Sequence, residues 1–89
     1  MFALPAQLTL PHARALSETL GQLAASGQGR MVLDAAGVQA LDTAGLAVLL
    51  EAKRRAQTAQ RPFELMNVPA KLADLMDLYG VAGWIGQAA

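Results

Sequence analysis

One stretch of the chain, VQALDTAGLAVLL from Val38 to Leu50, constrains the fold more than any other. A short apolar strand leads through Asp42 and Thr43 into a helix whose first turns are apolar on nearly every side. Asp42 fits the N-cap position, because its carboxylate can accept the free N–H groups of the first turn. Thr43 then exposes a hydroxyl at the positive end of the helix dipole, and Gly45 keeps the turn thin enough for another backbone to approach. The stretch predicts a strand-to-helix turn that serves as a contact or switch point.

The chain before this stretch contains further strand and helix signals. Residues 2–8 are apolar but interrupted by Pro5, which predicts an edge strand or a bulged strand. Apolar residues at helical spacing predict a helix over residues 11–25, and the Ser and Gly residues at 26–29 end it. Residues 30–34 form a continuous apolar run between turn signals, which predicts a strand of a parallel sheet that is buried on both faces.

The chain after residue 42 predicts a helix, a strand and a last helix. The first helix runs from Thr43 to about Gln60, the strand covers Phe63–Asn67, and the last helix opens at Pro69 and ends before Gly80. The predicted buried stripe of that last helix is Leu72, Leu75, Met76 and Tyr79. Residues 83–85 form a final apolar patch that we expect to pack on the sheet. The order β-α-β-β-α-β-α predicts an α/β sheet with right-handed crossovers.

Composition and charge exclude several classes of function. The 89 residues predict one domain, residues 1–89, with seven Lys and Arg against seven Asp and Glu. This balance gives no electrostatic footprint for nucleic acid. Cysteine is absent, so disulfides and thiolate zinc sites are excluded. No apolar run approaches the roughly 20 residues of a membrane span, and the N-terminus lacks the basic region of a signal peptide. We expect a cytoplasmic protein without direct membrane insertion, whose 54% hydrophobic composition leaves apolar surface for a partner.

Catalytic groups are sparse. The one histidine, His12, has no Ser or Cys elbow with which to form a triad, and no glycine-rich phosphate loop is present. Asp34 and Asp42 lack the further oxygen ligands of a cation site. We therefore expect no catalysis, no cofactor and no metal. Taken alone, Asp42 and Thr43 also fit an ordinary helix cap, and residues 53–55 a solvated helix end.

Three segments resemble the STAS domain family. VLDAAGVQALDTAGLAVLL is similar to the family pattern of an apolar strand, D-x-x-G-V, a short strand, and D-[ST]-x-G-L before an apolar helix. FELMNVPAKLADLMDLYGVAGWI resembles the closing strand, N-V-P turn and last helix, and LPAQLTLPHARAL resembles the opening strand and helix. The resemblance implies a STAS fold: an α/β domain with a small mixed sheet of about four strands and about three helices, mainly on one face.

The resemblance also implies an open sheet edge. The strand that opens the family pattern, before residues 2–8, is expected to be missing or shortened. An open edge has unpaired backbone groups, which predicts a partner strand or a homodimer through that edge, unless the start site of the chain is mis-set.

Two branches of the family imply different functions. In the branch resembling MlaB, the domain is a cytoplasmic subunit of a phospholipid-transport ABC complex, sits on its ATPase subunit and is peripheral to the inner membrane. Thr43 and the sequence LYGV at 78–81 match that branch. In the anti-sigma factor antagonists, a partner kinase phosphorylates the hydroxyl residue after the Asp, which makes Thr43 the candidate phosphorylation site. A lipid or small-ligand carrier is a third alternative, which the small core disfavours.

The resemblance and the apolar helix start together define a set of expected contact residues. The helix from Thr43 is expected to dock on the ATPase subunit or, in the alternative, to meet an anti-sigma factor kinase. The expected partner-binding residues are Asp42, Thr43, Ala44, Gly45, Leu46, Ala47 and Arg54.

Overall fold

The computed structural model describes residues 1–81, so the apolar patch predicted at 83–85 lies outside the described residues. Within that range the chain forms strands and helices in the predicted alternation, with residues 2–8 divided into two strands around Pro5. The elements are β1 (Phe2–Ala3), β2 (Gln7–Leu8), α1 (Leu10–Ser26), β3 (Met31–Asp34), β4 (Ala40–Leu41), α2 (Thr43–Thr58), β5 (Phe63–Met66) and α3 (Ala70–Leu78).

The strands form two small parallel sheets. One has the order β1-β3-β5, with Phe2 beside Leu33 and Met31 beside Phe63, and the other consists of β2 and β4. The α/β fold class is confirmed. In detail, the strand pairs within residues 1–81 are all parallel, whereas the resemblance implied a mixed sheet. The reason is that a helix separates the two strands of every pair along the chain, and such a crossover produces parallel neighbours.

The hydrophobic core lies on one face of the three-stranded sheet. Along β3 and β5 the side chains alternate between buried and half-exposed. The buried positions are Met31, Leu33, Phe63 and Leu65, and the half-exposed positions are Val32, Asp34, Glu64 and Met66. The prediction that β3 is buried on both faces is therefore wrong, because the described elements cover only one face.

The helices form the layer that covers this core. α1 packs along α2, and α2 also contacts α3, β2, β4 and β5. Leu20, Leu49 and Leu72 contribute side chains that are almost fully buried. This arrangement places the start of α2 beside the start of α1, at the ends of β2 and β4.

The end of α3 differs in one respect from the predicted stripe. Leu72 and Met76 are buried, but Tyr79 is 54% exposed. α3 ends at Leu78, so Tyr79 is the C-cap and its side chain no longer follows helical spacing. Gly80 has a φ of 68°, and the Val81 N–H donates to the Met76 carbonyl at 2.9 Å, which is the glycine termination that the sequence predicts. No helix among residues 1–81 has both the length and the apolarity to cross a bilayer.

Candidate functional site

The first turns of α1 and α2 meet at the carboxylate of Asp42. Its Oδ1 accepts a hydrogen bond from the Gly45 N–H at 3.0 Å, and its Oδ2 accepts one from the Leu10 N–H at 3.0 Å. Asp42 is the N-cap of α2, as predicted, and Leu10 is the first residue of α1. The hydrogen bonds from Gly45 and Leu10 lower the pKa of Asp42, because both favour its charged form. One side chain thus fixes the two helix starts relative to each other.

Gly45 allows strand β2 to approach this turn. A Cβ on Gly45 would lie 2.1 Å from the Leu8 carbonyl oxygen, so no larger residue fits without moving the backbone. The Asp42 N–H also donates to that carbonyl at 3.0 Å. The thin turn predicted at Gly45 is therefore present, but the backbone that approaches it belongs to the same chain.

Two of the expected contact residues lie in the core. Gly45 and Leu46 are both buried, and Leu46 is only 4% exposed. β2 and the core cover both residues in this structure, and a direct role for them in partner binding stays a prediction. They shape the turn from beneath.

The exposed expected residues lie along one side of α2. Thr43, Ala47 and Arg54 are exposed, and Asp42 and Ala44 are half-buried. Positions 43, 47 and 54 are spaced by four and seven residues, which places them on the same side of a helix. Among residues 1–81 the Thr43 hydroxyl has no hydrogen-bond partner, so its oxygen faces solvent at the start of α2.

Glu51 holds the Arg54 side chain on this side of α2, toward the C-terminal end of the helix. Its Nε donates to the two carboxylate oxygens of Glu51 at 2.9 and 3.0 Å. This hydrogen bonding lowers the pKa of Glu51 and raises the pKa of Arg54, with Coulomb attraction adding to both shifts. Arg54 is therefore an oriented cation.

Leu10 is a residue of the site that the sequence did not reveal. Its side chain is 69% exposed, next to the turn that its own N–H ties to Asp42. Leu10 precedes the helix that the sequence predicts over residues 11–25, so helical periodicity does not mark it as a site residue. We call Leu10, Thr43, Ala47 and Arg54 the junction surface.

The candidate catalytic groups do not assemble into a site. His12 is exposed, with Nε2 2.8 Å from Gln7 Oε1. The Asp34 carboxylate accepts hydrogen bonds from Asn67 and from the Ala36 N–H, which lower its pKa. In the part of the chain that the structure describes, no group of three or more His, Cys, Asp or Glu could hold a metal ion. Asp34 is thus the last residue of β3, and its carboxylate holds the turn that follows.

The architecture is that of an α/β domain of the STAS type. It superposes on the structure of an anti-sigma-factor antagonist (STAS) domain protein from Planctomyces limnophilus with a TM-score of 0.82. The sequences are 16% identical, and the match covers 96% of this chain and 77% of the other, so the likeness concerns the fold.

The family follows from the sequence itself. The family model described as "Mlab, STAS domain" matches residues 2–87, and the chain belongs to this STAS family. Among curated proteins no relative matches the chain. The family resemblance is therefore confirmed, and it makes the chain a small protein-interaction module.

Proposed function

We propose that this chain binds and supports the ATPase subunit of an MlaFEDB-type ABC complex, which transports phospholipid between membranes. The junction surface is the docking face. The observation that supports this most directly is the exposed Thr43 at the start of α2, in a chain that matches the Mlab family model over residues 2–87. In this proposal the protein is cytoplasmic and peripheral to the inner membrane through the complex.

The chemistry of the junction surface suits a protein contact. Leu10 offers a large apolar side chain, Thr43 and Ala47 offer small ones, and Arg54 places a positive charge at the rim. Interfaces concentrate their energy in a few central residues surrounded by weaker contacts. A charge placed at Thr43 disrupts such a centre by desolvation.

Co-purification with the transporter ATPase subunit tests the proposal. Thr43→Glu and Ala47→Glu are each expected to lower recovery of the ATPase by about tenfold, the effect of losing a central interface contact. Thr19→Glu is the matched control, because Thr19 is an exposed threonine of α1 outside the junction surface. Equal recovery with Thr43→Glu and Thr19→Glu would remove Thr43 from the interface.

The alternative function is that of an anti-sigma factor antagonist regulated by phosphorylation at Thr43. The solvent-facing hydroxyl at a helix start favours this alternative, since a phosphate with up to about 2 negative charges is tolerated there. Incubation with an anti-sigma factor kinase, followed by mass spectrometry, tests it, and an unmodified Thr43 contradicts it. A neighbouring kinase gene supports this alternative, whereas neighbouring permease and lipid-binding subunit genes support the transporter.

A further inference from the structure

A groove of about 400 Å³ runs between the C-terminal halves of α1 and α2. Small residues of α1 line one wall, namely Gly21, Ala24 and Ala25, and Arg54, Arg55 and Thr58 of α2 line the other. Arg54 belongs to both the groove and the junction surface, so the groove continues the proposed docking face toward the far end of α2.

Gly21 makes room for a guanidinium group in this groove. A Cβ at position 21 would lie 2.6 Å from Nη1 of Arg55 and 3.3 Å from its Cζ. Glycine in the interior of a helix is destabilising relative to alanine. The glycine therefore lets the Arg55 side chain lie against α1, inside the groove, where a larger residue would displace it.

The groove carries a positive charge although the chain as a whole is neutral. Within residues 1–81, Glu51 is the carboxylate that pairs with both arginines, and its distance to Arg55 Nε is 3.7 Å. One carboxylate against two guanidinium groups leaves one positive charge in excess. Arg55 is 48% exposed and its guanidinium has donors that Glu51 does not occupy.

We propose that this groove binds an acidic helical segment of the partner protein. An Asp or Glu of that segment pairs with Arg55, which covers Gly21, while its backbone packs closely on the exposed Ala25. This inference rests on the proposed function, because it extends the same docking face. A protein segment fits better than a membrane surface, since small side chains permit close packing and no large apolar residue lines the groove.

Site-specific photo-cross-linking in cells separates the groove from the junction surface. A cross-linking amino acid at Ala25 reports on the groove, and one at Ala47 reports on the proposed function. We expect both to capture the ATPase subunit, and the peptide captured at Ala25 to contain Asp or Glu. Two outcomes overturn the groove inference and leave the proposed function standing. In one, only the cross-linker at Ala47 captures the ATPase; in the other, the cross-linker at Ala25 captures a peptide that contains no Asp or Glu. Failure of Ala47 to capture the ATPase contradicts the proposed function instead.

Binding of the purified ATPase subunit, measured by calorimetry, tests the charge. Arg55→Glu is expected to weaken binding by at least about tenfold, because it replaces attraction by repulsion. Lys71→Glu on α3 changes the net charge equally and is expected to bind as the wild type does. Equal losses in the two variants would overturn the inference.

Gly21→Ala tests the shape of the groove without changing any charge. Its Cβ displaces the Arg55 guanidinium, so binding is expected to weaken several-fold, while thermal unfolding shows an unchanged or more stable helix.

Changing the captured acidic residue of the partner to Arg is expected to restore binding of Arg55→Glu. Binding of wild type, but not of Arg55→Glu, to phosphatidylglycerol vesicles would instead identify a membrane site and overturn the proposal.

Discussion

The Asp42 carboxylate accepts hydrogen bonds from the starts of two helices, and one of the donors, Leu10, lies 32 residues earlier in the chain than Asp42. The bond to Gly45 is local, and an aspartate before an apolar helix is enough to predict it. The hydrogen bond from Leu10 depends on how α1 packs beside α2. A local sequence pattern does not predict that packing. For the same reason the sequence shows a thin apolar turn at Gly45 and Leu46 but not that β2 and the core cover it.

Stability is expected to fall at acid pH through Asp42. Its pKa in the folded protein lies below the ordinary carboxyl value of about 4. The stabilisation is therefore present above about pH 5 and is lost as the pH falls through the lowered pKa. Urea unfolding at pH 7 and pH 3 should show a smaller difference in unfolding free energy for Asp42→Asn than for wild type. An identical pH dependence in the two proteins would contradict this role.

Gly45→Ala is expected to destabilise the fold by about 2–3 kcal/mol, the usual cost of forcing an extra methyl group into a packed site. The obstacle is the backbone carbonyl of Leu8, which cannot move without disturbing β2. Gly21→Ala is the matched comparison, because its obstacle is the flexible end of Arg55. Urea denaturation measures both variants, and wild-type stability in Gly45→Ala would show that Leu8 can retreat.

At the scale of the elements, α1 ends without the left-handed glycine that closes many helices. Gly27 follows the helix in an extended conformation, and Arg61 binds the exposed carbonyls instead. Its Nη1 donates to the carbonyls of Leu23 at 2.6 Å and Ala24 at 3.2 Å, and its Nε donates to that of Gly29 at 2.9 Å. One side chain before β5 thus ties the end of α1 to the loop before β3.

Arg61→Ala is expected to lower the unfolding free energy by about 1–2 kcal/mol, because charged hydrogen bonds to those carbonyls are lost. Hydrogen exchange should become faster in the last turn of α1 and remain unchanged at its start. Arg14→Ala is the control, since Arg14 forms only an exposed pair with Glu18 at 3.6 Å. Unchanged exchange in that last turn would show that the carbonyls are satisfied without Arg61.

Helical periodicity and turn residues predicted the helices well, with α2 ending at Thr58 near the expected Gln60. Periodicity failed where tertiary packing decides. The apolar run between Arg30 and Asp34 predicts a strand that is buried on both faces of the sheet. The described helices, however, cover one face only. Tyr79 kept the spacing of a core residue, but the helix stopped one residue earlier.

At the scale of the whole molecule, β1 and β5 are the two edge strands of the three-stranded sheet that residues 1–81 form, and β1 is the edge at the N-terminus. The Leu4 N–H donates to the Asp34 carbonyl of β3 at 2.8 Å. The backbone N–H and C=O groups of successive strand residues point alternately to the two sides of the strand. Because those of Leu4 point toward β3, those of Ala3 point away from it. Pro5 has no N–H to add, so the edge offers few groups to a second strand.

We propose that two chains pair weakly through this edge. Sedimentation velocity over a range of concentrations is expected to show a wild-type dimer at high concentration, and Ala3→Pro is expected to remove it by removing the outward N–H. Ala3→Ser keeps that N–H and is the matched control. A wild-type chain that sediments as a monomer at every concentration would rule out the edge dimer.

The two hydrogen bonds that the Asp42 carboxylate accepts from the starts of α1 and α2 have a consequence for the affinity and lifetime of a complex. Leu10 and Thr43 are held in register in the unbound domain, so an incoming partner does not have to order two mobile helix ends. Binding then loses little conformational entropy, and even a small contact area can give a long-lived complex. In the function that we propose, a surface organised in advance in this way suits a subunit that remains bound to its partner.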